Sequence, residues 1–214
     1  MSELGKLDDG NWGFRGVTST DHDLVPSIGR KTARKRYSRE WEEEVFRKFR
    51  QHALPYLIKV PTNNFAWLAI ARHSGLPTRL LDWTLSPLVG VYFAVTGPRP
   101  AKGDPPDCAL YAFRGKDYET DDEIKSVFAR GKGYRIVDAA HYITRIAAQK
   151  GFFTLHAQPN KPFRTRTLKK FVIPGNLCDE FQLRLDFYGL NHATLFPDLD
   201  GLGRYWGWCY RTNR

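Results

Sequence analysis

The chain has 214 residues, of which 42% are hydrophobic and 14% aromatic, and its formal net charge is +10. This composition is typical of a globular domain with a real core, and the positive charge favours a polyanionic partner or an anionic cofactor. No run approaches the roughly 18 apolar residues of a membrane span, and the first residues lack the apolar segment of a signal peptide. We therefore expect a cytoplasmic protein with no membrane partner.

Cysteine, histidine and acidic residues show no metal-binding pattern. Cys108, Cys178 and Cys209 are far apart and form no CxxC pair, which argues against a zinc ribbon, and their odd number argues against a disulfide scaffold and indicates reduced thiols. The histidines show no HExxH spacing. Asp198 and Asp200 in "LFPDLDGL" lack further ligands, so we interpret them as turn formers or helix caps and expect no metal.

Three helices follow a short N-terminal strand in "NWGFRGVTST". The first helix begins after Ser38 as N-cap, the second spans "NNFAWLAIARHSG" and ends near Gly75, and the third begins at Ser86-Pro87 and ends near Gly97. Each has apolar residues or caps at positions that a helix packed on a core requires.

In the second half of the chain, predicted strands and helices do not alternate strictly. Strands are predicted in "CALYAF", "GFFTLHA" and "KKFVIP", with helices in "AAHYITRIAAQKG" and in "NLCDEFQLRLDFYGL", which closes at Gly189. We predict one α+β domain over residues 1–214, with a central mixed or antiparallel sheet flanked by helices. The tail, residues 203–214, is basic and aromatic, and we expect most of Trp206, Trp208 and Tyr210 to pack on the domain.

Positive charge is concentrated in two segments, residues 29–39 and 160–170. Such runs are usually solvated surface. The alternative is a nucleic-acid contact, which the interleaved aromatic and basic residues of "RYWGWCYR" also favour.

Two motifs place polar groups beside apolar core segments. In "FRG", Arg15 offers fixed donors that suit a phosphate or ribose, and the glycines beside it allow close approach. In "HSGLPTRLLDWTLSPLVGVYFA", Arg79 and Asp82 either pair with each other or line a cleft. Ser86 either only caps the third helix or helps its amino end to bind a phosphate, with Trp83 as a stacking face.

Gln149 precedes the glycine that starts the strand "GFFTLHA". A glutamine there can orient a hydroxyl or an amide, or can simply be a buried side chain that bonds to the backbone.

Five motifs in order, "FRG", "PSIGR", "WLAIARHSGLPTRLLDWTLSPLVGVYFA", "RIAAQKGFFTLH" and "TLFPDLDGL", resemble the FRG-domain family of bacteria and phages. The resemblance spans residues 13–202, which we take as the core of the domain. The family is named for its arginine-containing tripeptide and not for an activity, so the resemblance implies little about what the protein does.

A weaker resemblance links the chain to ADP-ribosyltransferases, which carry an Arg or His on the first core strand, a Ser or Tyr motif on the second and a Glu or Gln later. "FRG" is similar to the first, and "LDWTLSPLVGVYFA" is similar to the second. The resemblance implies an ADP-ribosyltransferase-like fold, NAD as the cofactor and a role as a toxin or anti-phage effector. The catalytic residues implied are Arg15, Thr84, Ser86 and Gln149, and the cofactor-binding residues implied are Arg15, Gly16, Arg79, Asp82, Trp83 and Tyr92. A glutamine at position 149 departs from the usual glutamate and cannot act as a base.

Two other functions are compatible with the same residues. One is a non-catalytic nucleic-acid-binding module that uses the two basic segments. The other is a protein-interaction scaffold in which every motif is structural. The sequence indicates neither an acceptor nor an oligomeric state.

Overall fold

The chain folds around one seven-stranded sheet. A computed structural model describes residues 7, 11–31, 36–98, 100, 103–115, 117–124, 126–138 and 144–214. The strands are β1 (Trp12–Val17), β2 (Leu80–Thr84), β3 (Cys108–Arg114), β4 (Tyr118–Thr120), β5 (Tyr134–Asp138), β6 (Gly151–His156) and β7 (Lys169–Ile173). Their order is β4-β5-β6-β2-β1-β3-β7, and every neighbouring pair is antiparallel except β4 and β5. The predicted α+β class with a mixed sheet is confirmed.

Seven α-helices accompany the sheet in the part of the chain that the structure describes. They are α1 (Arg39–Ala53), α2 (Asn64–His73), α3 (Pro87–Val95), α4 (Thr144–Ala148), α5 (Cys178–Phe187), α6 (His192–Leu195) and α7 (Leu199–Thr212). The predicted caps are present: Ser38 accepts from the Trp41 amide, Ser86 from Val89 and Asp198 from Gly201. Strands β4 and β5 and helices α6 and α7 were not predicted, and the first residues of "AAHYITRIAAQKG" lie outside the described residues.

The helices cover one face of the sheet, and loops cover the other. Alternation along the strands puts Phe14 of β1 and Leu80 of β2 on the helical face. There α3 and α5 pack over β1 and β3, while α1 and α2 pack over β2, β5 and β6. On the second face, Trp83 and Phe113 lie beneath Leu24 and Phe163, which come from two loops.

Helix α3 lies unusually close to β1 because glycines face each other there. A Cβ atom on Gly16 would lie 2.1 Å from the main-chain oxygen of Gly90. No side chain fits in that space, so the "FRG" glycine lets the helix approach the strand.

The aromatic tail is an ordered helix, α7, with one face on the domain. Cys209 is buried and Trp208 is partly buried, but Trp206 is 61% exposed and Tyr210 is 85% exposed. The expectation that most of the three rings pack on the domain is therefore wrong. Trp206 and Tyr210 are four residues apart and share the outer face of the helix.

All three cysteines are buried thiols, and none of them forms a disulfide. Cys108 and Cys178 have their sulfur atoms 3.7 Å apart in the core beneath α3 and α5. Among the described residues, no helix combines the length and the apolar character needed to cross a bilayer.

Candidate functional site

The site forms where the two central strands separate. Strands β1 and β2 pair only at Phe14 and Thr84, whereas β1 pairs with β3 along its whole length. Beyond that single pair the Arg15 guanidinium spans the gap, and its Nη1 donates to the main-chain oxygen of Asp82 at 2.6 Å. The side chain of a strand residue thus replaces a ladder hydrogen bond between backbones.

Asp82 is held by two arginines. Nη2 of Arg72 lies 2.7 Å from Oδ2 of Asp82, and Nη1 of Arg15 lies 3.3 Å from the same oxygen. Burial opposes the charged form, but Arg72 and Arg15 outweigh it and lower the pKa of Asp82 to about 2. The carboxylate therefore remains ionised at any physiological pH, although 45% of its side chain is exposed.

Arginine outnumbers acid at this position. Burial lowers the pKa of Arg15, with Asp82 opposing that shift, and Arg30 is close enough to contribute to the lowering. Nε of Arg15 is buried without a hydrogen-bond partner among the described residues. Two guanidinium groups on one carboxylate, with Arg30 nearby, leave a surplus of positive charge, which favours an anionic ligand.

A cavity of about 370 Å³ opens on the helical face beside these groups. Arg72 and His73 at the end of α2 form part of one wall, and Phe93 of α3 lies on another. The described residues that line it are Phe14, Arg15, Gly16, Arg72, His73, Asp82, Trp83, Thr84, Phe93, Ile146, Gln149 and Phe153. The cavity thus combines a cationic side with an aromatic side, as ligand sites commonly do.

Thr84 and Gln149 meet at the end of the cavity. The Thr84 hydroxyl donates to the main-chain oxygen of Gln149 at 2.6 Å and accepts from the Ser86 amide at 3.0 Å. The Gln149 side-chain amide donates to the main-chain oxygen of Leu195 at 3.0 Å. Both side chains therefore hold the backbone around the cavity, and neither is poised as a base.

The structure thus brings together Arg15, Gly16, Asp82, Thr84 and Gln149, which the sequence had suggested separately. Gly16 contributes backbone to the lining. Its lack of a side chain is required by the contact with α3.

Arg79 lies away from the cavity, and its prediction as a cleft residue is wrong. It is 1% exposed and forms a bidentate ion pair with Glu42 of α1, with Nε–Oε1 at 2.9 Å and Nη2–Oε2 at 2.6 Å. Tyr37 and the main-chain oxygen of His156 accept its other donors. The alternative pairing of Arg79 with Asp82 is also wrong, because each has other partners.

Three further side chains that were predicted to face the site point elsewhere. Ser86 caps α3, which reaches the cavity through Phe93 and not through its first turn. The Trp83 ring points into the core of the other face, where its Nε1 donates to Thr154, so it cannot stack on a ligand in the cavity. Tyr92 is buried, and its hydroxyl bonds to His192 at 2.8 Å, away from the cavity.

Several residues of the cavity were not predicted from the sequence, among them Arg72, Phe93 and Phe153. Arg72 stands in the last turn of a helix, where a cation is expected to serve the helix dipole. Phe93 and Phe153 follow ordinary core patterns. These residues line one cavity only because α2, α3 and β6 come together beside β2 in the folded protein.

Residues 10–103 match the family model of the FRG domain. Over this segment the chain is similar to the FRG domain. The match includes the first three of the five motifs, and the motifs around Gln149 and Asp198 lie beyond it. Of the twelve described residues that line the cavity, nine fall within the matched segment, and Ile146, Gln149 and Phe153 lie outside it.

No curated protein and no solved structure matches the chain. In the described part of the chain, no group of three or more His, Cys, Asp or Glu residues could hold a metal ion.

Proposed function

We propose that the cavity binds a nucleotide that carries a diphosphate, with NAD as the candidate, and that the protein is an ADP-ribosyltransferase-like or NAD-consuming domain. The observation that carries the proposal is the pair Arg15 and Arg72 on the single carboxylate of Asp82, beside an aromatic wall. Guanidinium groups bind phosphate oxygens through paired N–H donors, and aromatic rings stack on flat heterocycles.

The donor set fits such a ligand. Arg15 retains a buried Nε–H without a protein acceptor among the described residues. Burial also makes an isolated cation unfavourable, so an anion beside it is stabilising. The cavity volume lies in the range of small-molecule sites, roughly 300–1,000 Å³, which suits one half of a dinucleotide with the other half along the rim.

The aromatic wall supplies the apolar part of the proposed site. Phe153 is almost fully buried and Phe93 is partly buried, and both line the cavity. These two rings take the stacking role that the sequence had suggested for Trp83. Stacking against a heterocycle adds affinity without demanding one particular base.

The residues favour holding and orienting a ligand over removing a proton from an acceptor. Bound NAD would supply the ADP-ribosyl group, released by breaking the bond between ribose and nicotinamide. Asp82, ionised because its pKa is about 2, can offset positive charge that develops on the sugar. The Gln149 amide cannot take up a proton, and the Thr84 hydroxyl already donates to a carbonyl.

The proposal is tested by thermal melting with and without NAD, together with chromatographic detection of released nicotinamide. Wild type should melt at a higher temperature with NAD, and Arg72→Ala should lose that shift. Arg184→Ala, which breaks an exposed ion pair on α5, is the matched control and should keep it. Absence of any shift in wild type at millimolar NAD would remove the main support for the proposal. Release of nicotinamide distinguishes consumption from binding.

A further inference from the structure

Two loops that are far apart in sequence lie side by side on the second face of the sheet. The Phe163 amide donates to the main-chain oxygen of Leu24 at 2.8 Å. A Cβ atom on Gly29 would lie 1.8 Å from the main-chain oxygen of Pro159, so the two backbones are in close contact. The segments 20–31 and 159–168 therefore form one continuous surface.

This surface carries an excess of positive charge. Its cations, together with one from the adjacent strand β7 whose Nζ donates to the Thr20 carbonyl, are all exposed. We call them the basic surface: Arg30, Lys31, Lys161, Arg164, Arg166 and Lys170. None of them forms an ion pair with a described residue, and the two segments contain only two acids, Asp21 and Asp23.

Several basic residues on the helices are neutralised by nearby acids. On α1, Arg47 and Lys48 share Glu44, with N–O distances of 2.8 Å and 3.3 Å. On α5 and α7, Arg184 and Arg204 pair with acids one helical turn away. The contrast shows that the charge of the basic surface is not the ordinary pattern of this protein's helical surfaces.

The basic surface is connected to the cavity. Nη1 of Arg72, a cavity residue, lies 3.3 Å from Oγ of Ser27, which also accepts from the Thr78 amide at 3.1 Å. Three residues later, Arg30 donates to the Val25 carbonyl and lies near Arg72 and Asp82. Segment 27–30 therefore joins the basic surface to the side of the cavity that Arg72 forms.

We propose that the basic surface binds nucleic acid and brings it to the rim of the cavity. A role of that nucleic acid as the acceptor of an ADP-ribosyl group rests on the proposed function. Binding of the nucleic acid to the basic surface does not depend on it. Regularly spaced phosphates match exposed cations that form no ion pair with a described residue. An anionic membrane fits less well, because no large apolar side chain is exposed in segments 20–31 and 159–168.

The test is fluorescence anisotropy with a labelled single-stranded DNA of about 20 nucleotides, between ~50 and ~200 mM salt and without NAD. The variant Lys161→Glu/Arg164→Glu should weaken binding by about tenfold or more, and should lower the slope of log affinity against log salt by about 0.7 for each lost contact. Arg47→Glu/Lys48→Glu on α1 has the same change in charge and should weaken binding by less than ~3-fold. Thermal melts confirm folding, and Lys161→Ala/Arg164→Ala replaces the glutamate pair if it unfolds.

Equal losses in both glutamate pairs would overturn the proposal, since binding would then depend on net charge alone. Vesicles of phosphatidylserine that bind in the same surface-dependent way, while the DNA does not bind, would also overturn it. The NAD-induced thermal shift is measured on the same variants. If DNA binds but NAD causes no thermal shift, the proposed function is contradicted and the proposed role of the basic surface is supported. If NAD causes a thermal shift but DNA does not bind, the proposed role of the basic surface is contradicted and the proposed function is supported.

Discussion

The Nη1 atom of Arg15 lies 2.6 Å from the main-chain oxygen of Asp82, at the position where β1 and β2 stop pairing. The same nitrogen lies 3.3 Å from the Asp82 carboxylate. One guanidinium therefore holds both the backbone and the side chain of the neighbouring strand. Because Arg15 is also a wall of the cavity, its replacement should affect both ligand binding and the stability of the fold.

The close approach of α3 to β1 should make Gly16 intolerant of any side chain. Gly16→Ala places a Cβ 2.1 Å from the Gly90 oxygen and 2.3 Å from the Ala94 nitrogen, both of which are backbone atoms. We expect the free energy of unfolding in urea to fall by ~2–3 kcal/mol, the usual scale for overpacking.

Gly203→Ala is the matched control for that change. No atom lies within 4 Å of a Cβ at Gly203, which sits inside α7. Alanine should there raise the free energy of unfolding by up to ~1 kcal/mol through helix propensity. If Gly16→Ala unfolds at the same urea concentration as wild type, the packing of α3 on β1 is not as described.

Sequence patterns predicted most of the fold because local chemistry sets its elements. Ser38 and Ser86 begin helices where an N-cap is expected, and Gly75 and Gly189 end helices with positive φ angles of 88° and 76°. Strand β4 was missed because it is only three residues long, and α7 because its glycines conceal a helix that packs along one face. Tertiary packing decided both.

The buried ion pair between Arg79 and Glu42 should be structural. Glu42→Gln keeps the shape of the side chain but leaves the Arg79 charge without its counterion, and Arg79 is 1% exposed. We expect the free energy of unfolding to fall by about 3 kcal/mol, as when one partner of a buried pair is removed. Binding of NAD should stay unchanged, because neither residue lines the cavity.

Glu44→Gln on the same helix provides the comparison for Glu42. Its carboxylate pairs with Arg47 and Lys48 on the surface, where solvent screens the charges and such pairs contribute little to stability. Equal effects of the two substitutions on urea unfolding would show that Arg79 finds another partner or water.

His156 should make stability dependent on pH. Burial, with Arg15 and Arg79 nearby, lowers the pKa of His156 from 6.5 to about 4. The unfolded chain takes up this proton near pH 6.5, whereas the folded protein does so only near pH 4. The stabilisation is therefore complete above the unfolded pKa and is lost as the pH falls toward the folded one, a change of ~3 kcal/mol.

Urea unfolding between neutral pH and the folded pKa tests this prediction. His156→Gln should flatten the pH dependence, while His52→Gln, an exposed histidine on α1, should leave it intact. An unchanged slope in His156→Gln would mean that carboxylates alone account for acid destabilisation.

The site was predicted only in part, because the partner of a polar side chain can lie far from it in the sequence. Arg15, Asp82 and Thr84 stand in motifs whose polar residues interrupt apolar runs, so each attracts attention alone. Arg79 stands in the same motif and has the same chemistry, yet its partner, Glu42, lies 37 residues away on α1. No local pattern distinguishes an arginine that faces a cavity from one that faces a buried acid.

Calorimetric titration of NAD into wild type, Arg15→Ala, Arg15→Lys and Glu42→Gln, below the melting temperature of all four, tests the central claim most directly. The account predicts that Arg15→Ala weakens binding by ~1.5–3 kcal/mol, the scale of a hydrogen bond to a charged group. Arg15→Lys should restore only part of the loss, because an ammonium lacks the forked donors of a guanidinium. Glu42→Gln should bind like wild type despite its lower stability. The account is contradicted if wild type shows no binding heat at millimolar NAD, or if Arg15→Ala binds as tightly as wild type.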